Sequence, residues 1–214
     1  MWHFRGKKYG SKTISPVLIL VLAGCASFRP VETEFQHTYL IEAQPSQAEH
    51  VRPIPLTLSI SPIRAMPGYD TSRMAFVRQP HVLEYFARNR WVDSPAKMIA
   101  PLLERALERQ SGFRAVTSAA ETSRGDIRLD MELVLLRQEF MSSPSRLHLK
   151  LRVQLVEQAN HRVLATKEFE AFENAPSDDP YGGVLAANSA LPGLLGQISD
   201  FSAYYGTLLS NPPK

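Results

Sequence analysis

The sequence predicts an α+β fold: a largely antiparallel β-sheet with two main helices packed on one face. Two patterns carry this. Ile127, Leu129, Met131, Leu133 and Leu135 alternate with Arg128, Asp130 and Glu132, and Leu147 to Leu155 alternate even more cleanly, as half-buried strands do. Between and after them, apolar residues recur at helical spacing, first over Met98–Leu107 and then from Tyr181 to Phe201.

The elements follow in order. Phe35 to Ile41 reads as a first strand, and a proline-bearing loop over 45–55 leads to a second, Leu56 to Ile60. Residues 62–70 break it, with Pro67-Gly68 as a turn. Arg73–Phe76 and Val82–Phe86 form a β-hairpin around Gln79-Pro80-His81. Ser94 and Pro95 open a helix as N-cap and first helical residue, and Gly112 closes it. Pro101 predicts either a kink near Lys97 or a regular part that starts near Ala100, because an internal proline removes a hydrogen bond. Three strands follow: the two alternating runs, then Val163–Phe172, paired back as a meander. Asp179-Pro180 starts a last helix to about Leu209, with Tyr181, Val184, Leu185, Leu191, Leu194, Leu195, Ile198 and Phe201 on its apolar side. Pro192, Gly193 and Gly196 predict a bend near residue 190.

The first residues are of a different kind. Arg5, Lys7, Lys8 and Lys12 stand without any acidic neighbour, ahead of the apolar run Pro16–Ala23 and the only cysteine, Cys25. That run is far shorter than the roughly 20 residues that span a bilayer. A basic start, a short apolar run and small residues before a cut mark a secretory signal. Leu22-Ala23-Gly24-Cys25 resembles the end of bacterial lipoprotein signals. The resemblance implies removal of 1–24, a diacylglyceryl thioether on Cys25 and an acylated (palmitate-type) N-terminus. Two or more acyl chains hold a protein stably on a leaflet. Because Ala26 and Ser27 follow the cysteine where Asp would signal inner-membrane retention, the expected location is the periplasmic side of the outer membrane. The expected organisation is a signal over 1–24, a lipidated tether over 25–34 and one periplasmic domain over 35–210.

The net charge of +3 belongs to the leader: without its four basic residues the remaining 190 residues carry −1, which argues for no nucleic-acid partner. A lipidated Cys25 leaves no thiol for a disulfide, so packing alone must hold the fold.

The chain also resembles the ABC-type transport auxiliary lipoprotein family, to which the outer-membrane lipoprotein of the paraquat-inducible Pqi system belongs. The resemblance rests on Cys25 in its lipobox, Tyr39-Leu40, Leu56–Ile60 leading into Pro67-Gly68-Tyr69-Asp70, Arg73–Phe76, Tyr85, Arg90-Trp91-Val92-Asp93-Ser94-Pro95, Leu102–Phe113, the Phe169 strand and Ala186–Ala190. It implies a role and no reaction: a docking or stabilising subunit for an MCE-domain protein, a permease and an ATPase that move phospholipids or other hydrophobic molecules across the envelope. A homo-oligomer would suit a symmetric MCE partner.

The residues themselves offer no catalytic, metal or cofactor constellation. There is no P-loop, no nucleophile elbow and no HExxH. The histidines are scattered singly, and His148, at an outward strand position, reads as solvated. Asp178-Asp179 reads as a helix N-terminus. The candidate interaction residues are Arg88, Arg90 and Trp91, either a basic aromatic patch or a core tryptophan with solvated neighbours. Asn188 is the fourth, as a structural hydrogen bond to a loop or a subunit contact. Two further readings share the anchor: a structural envelope lipoprotein that activates or assembles an envelope complex, and a periplasmic hydrolase with an unrecognised site.

Overall fold

The computed structural model describes residues 1–3, 37–43, 52–118 and 125–211. The chain divides into two units, Met1–Glu34 and Phe35–Lys214, and every element below lies in the second. Cys25, the leader from residue 4 on, the tether, Phe35 and His50 lie outside the described residues.

The elements are β1 (His37–Tyr39), β2 (Ile54–Ile60), β3 (Arg64–Ala65), β4 (Arg73–Val77), β5 (Glu84–Trp91), α1 (Pro95–Gln110), β6 (Phe113–Ser118), β7 (Ile127–Glu139), β8 (Arg146–Glu157), β9 (Arg162–Asn174) and α2 (Pro180–Ser210). The fold is α+β as the patterns predict. β7, β8 and β9 pair antiparallel along almost their whole length, and β4 and β5 form the expected hairpin. The other pairings are parallel: β2, β3 and β4 sit in succession along the far edge of β7, β6 pairs β2, and β1 pairs β5. β3 and β6 were not expected, since runs of two and six residues carry too little alternation to stand out.

The inner face of the meander is the core. Leu147, Leu149, Leu151, Val153 and Leu155 are buried against the helices together with Ile127, Leu129, Met131 and Leu133. Each buried side chain of this size contributes about 1.5–3 kcal/mol, whereas an exposed ion pair contributes about 0–1 kcal/mol. The leucine layer therefore decides the fold. Leu135 breaks the expected phase. The register shifts between Leu133 and Leu135, so Leu135 opposes Lys150 on the outer face and Leu136 takes the inner place opposite Leu149. A bulge of one residue flips every side chain beyond it.

The regular part of α1 starts at Pro95 and not near Ala100. α1 is continuous from Pro95 through Pro101, and α2 is continuous through Pro192. Pro101 and Lys97, whose carbonyl loses its partner, are both exposed, so water can take the missing bond. Ser94 holds the N-cap position of α1 without a side-chain cap bond. Gly112 follows with φ 77°, where an added Cβ would be strained. Tyr181 and Leu185 were expected on the buried side of α2, yet they are 53% and 41% exposed. The small residues Gly182, Gly183, Ala186, Ala187 and Ala190 take the buried side instead and bring the helix close to the sheet.

Leu151→Asp is expected to cost at least about 4 kcal/mol, because it places an unpaired charge in a site with no solvent access. Arg152→Gln, one residue away on the exposed outer face, should cost well under about 1 kcal/mol. Urea unfolding of both variants checks the strand phase, and similar midpoints would contradict it.

Candidate functional site

Two features stand out at the end of the sheet where β7 turns into β8 and α2 begins. The first is a charge network on the outer face. The bulge in β7 places Arg137 and Glu139 outward, and the antiparallel register sets them against His148 and Arg146 of β8. β9 adds Phe172 opposite His148 and Glu170 opposite Lys150.

Glu139 is 3% exposed and is the hub. Its Oε1 accepts from Arg137 (2.8 Å) and contacts His148 Nδ1 (2.9 Å), while Oε2 accepts from Arg146 Nε (3.1 Å). His148 Nε2 lies 2.6 Å from Glu170 Oε1, and Lys150 Nζ is 3.1 Å from the same oxygen. The imidazole stacks on Phe172 with centroids 4.2 Å apart, and the Arg146 guanidinium lies over that ring at 4.4 Å. His148 thus bridges two carboxylates, one at each ring nitrogen.

His148 is therefore not solvated as its strand position suggested. It is 8% exposed, because long cross-strand neighbours on both sides close over it. Burial pushes the Glu139 carboxyl up, but hydrogen bonds from His148, Arg137 and Arg146 outweigh it and hold the group below its ordinary value. The His148 and Lys150 bonds lower Glu170 in the same direction.

The second feature is an aromatic groove of about 500 Å³. Phe76 of β4, Phe86 of β5 and Phe140, just past β7, form its floor, with Phe76 4.4 Å from Phe86 and edge-on to Phe140 at 5.9 Å. The hairpin register brings the first two together, and Phe140 N donating to Val77 O (2.8 Å) holds the third. Pro180, with Asp178 and Asp179, makes the opposite wall. Asp179 caps α2 by accepting from Gly182 N (2.7 Å). Asp178 accepts from Ser145 N (2.6 Å), a bond that lowers its carboxyl below the usual range. The pair is thus the helix N-terminus that the sequence indicated. Arg78 and Glu84 close one rim as a bidentate pair (3.1 and 3.0 Å).

The candidate residues taken from sequence fall elsewhere. Trp91 is 3% exposed and belongs to the core, so it offers no aromatic face to a headgroup, whereas Arg88 and Arg90 lie on exposed β5 positions. Arg90 Nε reaches Thr38 Oγ1 at 3.5 Å. Asn188 ties α2 to the segment after β1: its Oδ1 accepts from Glu42 N (2.7 Å) and its Nδ2 donates to Leu40 O (3.3 Å) and Val184 O (3.0 Å). Among the described residues no group of His, Cys, Asp and Glu could hold a metal, and no helix is long and apolar enough to cross a membrane.

The lowered carboxylates fix a direction of pH dependence. Stability from Glu139 and Glu170 is present above their ordinary value of 4.5 and is lost as pH falls through their folded values. Glu139→Gln is expected to cost about 3 kcal/mol near neutral pH, because it leaves Arg137, Arg146 and His148 facing a neutral amide. The gap to the parent protein should narrow as the parent's own Glu139 protonates in acid. Urea unfolding at several pH values checks both; equal midpoints at neutral pH would contradict the hub.

Comparison with known proteins places these features in a family. A solved structure, protein XCC0632 from Xanthomonas campestris, superposes with a TM-score of 0.74 at 17% identity, covering 81% of this chain and 98% of that one. A second, of an uncharacterized protein, gives 0.60 at 12% identity over 80% of this chain and 98% of that one. At such identities the likeness shows the fold alone. No protein of curated function matches the chain in sequence. The family model for the ABC-type transport auxiliary lipoprotein component matches residues 39–199, from the end of β1 to well inside α2, with the charge network and the groove both inside the match. Sheet, helices and the aromatic end of the sheet thus fall within one sequence family, and the chain belongs to the ABC-type transport auxiliary lipoprotein components.

Proposed function

We propose that this chain is the outer-membrane-anchored auxiliary subunit of an MCE/ABC-type system that moves phospholipids or other hydrophobic molecules between the two envelope membranes. The observation that carries the reading is the family match over 39–199 behind a lipobox that ends at Cys25. In this reading residues 1–24 are a signal, Cys25 carries the acyl chains, 25–34 is the tether and 35–210 is the periplasmic domain. The domain docks or stabilises the MCE-domain protein and, through it, the permease and ATPase. It does so without turnover. Arg88 and Arg90 remain candidates for polar contacts with a partner, and a homo-oligomer facing a symmetric MCE assembly is part of the proposal.

Cys25→Ser is expected to abolish lipidation and leave the uncleaved precursor at the inner membrane. Intact-mass spectrometry of the membrane-extracted protein checks this, and an acylated N-terminus in the variant would contradict it. Cross-linking in intact cells, followed by recovery of the tagged parent protein from solubilised envelopes, should bring down an MCE-domain protein. Recovery of neither an MCE protein nor a permease would overturn the transport assignment.

A further inference from the structure

α2 starts at Pro180, and beyond its first turn the inner face of the β4–β5 hairpin has no helix over it. Elsewhere on the described inner face, helices bury the leucine layer. Here Phe76, Phe86 and Phe140 floor an open groove of about 500 Å³. Such a volume suits one or two anchoring side chains.

The rim chemistry selects the occupant. Arg78 and Glu84 neutralise each other. The α2 N-terminus contributes about half a positive charge, which the Asp179 cap offsets. Asp178 is left over, exposed and ionised, with lone pairs beyond those used by Ser145 and Ser143. An anionic lipid headgroup placed at this rim would face the like charge of Asp178 across a few ångströms and be disfavoured by it. A cation is favoured twice: by Asp178 and by the aromatic faces below it.

We propose that this groove docks a peptide segment of another protein, one that inserts an aromatic or aliphatic side chain between Phe76, Phe86 and Phe140 and sets a Lys or Arg against Asp178 and Asp179. That the partner is a subunit of the transport system rests on the function proposed above; the chemistry of the groove does not.

The test uses the full lipidated chain in neutral detergent and two fluorescent pentapeptides, Lys-Phe-Lys-Leu-Lys and Glu-Phe-Glu-Leu-Glu. The lysine peptide should bind saturably, and the glutamate peptide about tenfold or more weakly. Ala87, an exposed residue on the groove wall, gives the variant Ala87→Arg, which should weaken the lysine peptide by about tenfold or more with an unchanged melting temperature. Equal binding of the two peptides overturns the proposal even if the variant fails to fold. In cells, a photo-crosslinking amino acid at position 87 should capture a basic, apolar segment of another protein. Capture of a phospholipid, of a second copy of this chain or of an acidic segment, or no capture, overturns it. A basic, apolar segment from a protein outside any transport system would leave the groove proposal standing and sink the transport assignment. Recovery of an MCE protein without a cross-link at position 87 would do the reverse.

Discussion

The fold depends on one strand serving two sets of partners. β7 gives its whole length on one side to β8, and on the other it accepts β2, β3 and β4 in turn. Slipping β7 by one residue would turn Ile127, Leu129, Met131 and Leu133 to solvent and disturb all of these pairings together. The single register shift at Leu133/Leu135 is the exception that the structure uses. It returns Arg137 and Glu139 to the outer face, where they meet Arg146 and His148. The hydrophobic layer thus sets the register, and the register builds the charge network. The network then holds the open end of the meander, where β7 turns into β8.

Much of this was legible in the sequence because the long strands are half-buried. Alternation over Leu147–Leu155 follows directly from a core on one side and water on the other. What alternation reports is the face, and a face is not the same as exposure. His148 is on the outer face and yet buried, because Glu139, Glu170 and Phe172 arrive from two neighbouring strands. Those neighbours are set by register, which no local window contains. The parallel edge along β7 escaped for the same reason, since it joins segments separated by a helix or a hairpin. A lost hydrogen bond costs little where its carbonyl can reach water, so Pro101 does not interrupt α1.

The groove shows the same limit at the level of a site. The hairpin was readable, and with it the nearness of Phe76 and Phe86. Phe140 was not, because it joins them only through the parallel pairing of β4 with β7. Conversely, Arg90-Trp91 before the helix divides: Trp91 fills the core and the neighbouring arginines lie on the surface. Asn188 is likewise a brace that ties the segment after β1 to α2, and the backbone of Leu40 and Glu42 engages both ends of its amide.

The placement of the groove follows from how α2 begins. Proline suits the first turn of a helix, where its missing N–H would have no partner, and Asp179 fixes the start by capping Gly182 N. Extending the helix back by a turn would require helical geometry at Asp179, which the following proline disfavours. It would also pull Asp178 from Ser145 N, the bond that anchors the β7–β8 connection. The helix therefore cannot grow over the three phenylalanines without breaking contacts that the rest of the domain uses. An aromatic floor left open by its own helix cap, and rimmed by the capping Asp179 and its neighbour Asp178, has the composition of a docking site before any partner is considered.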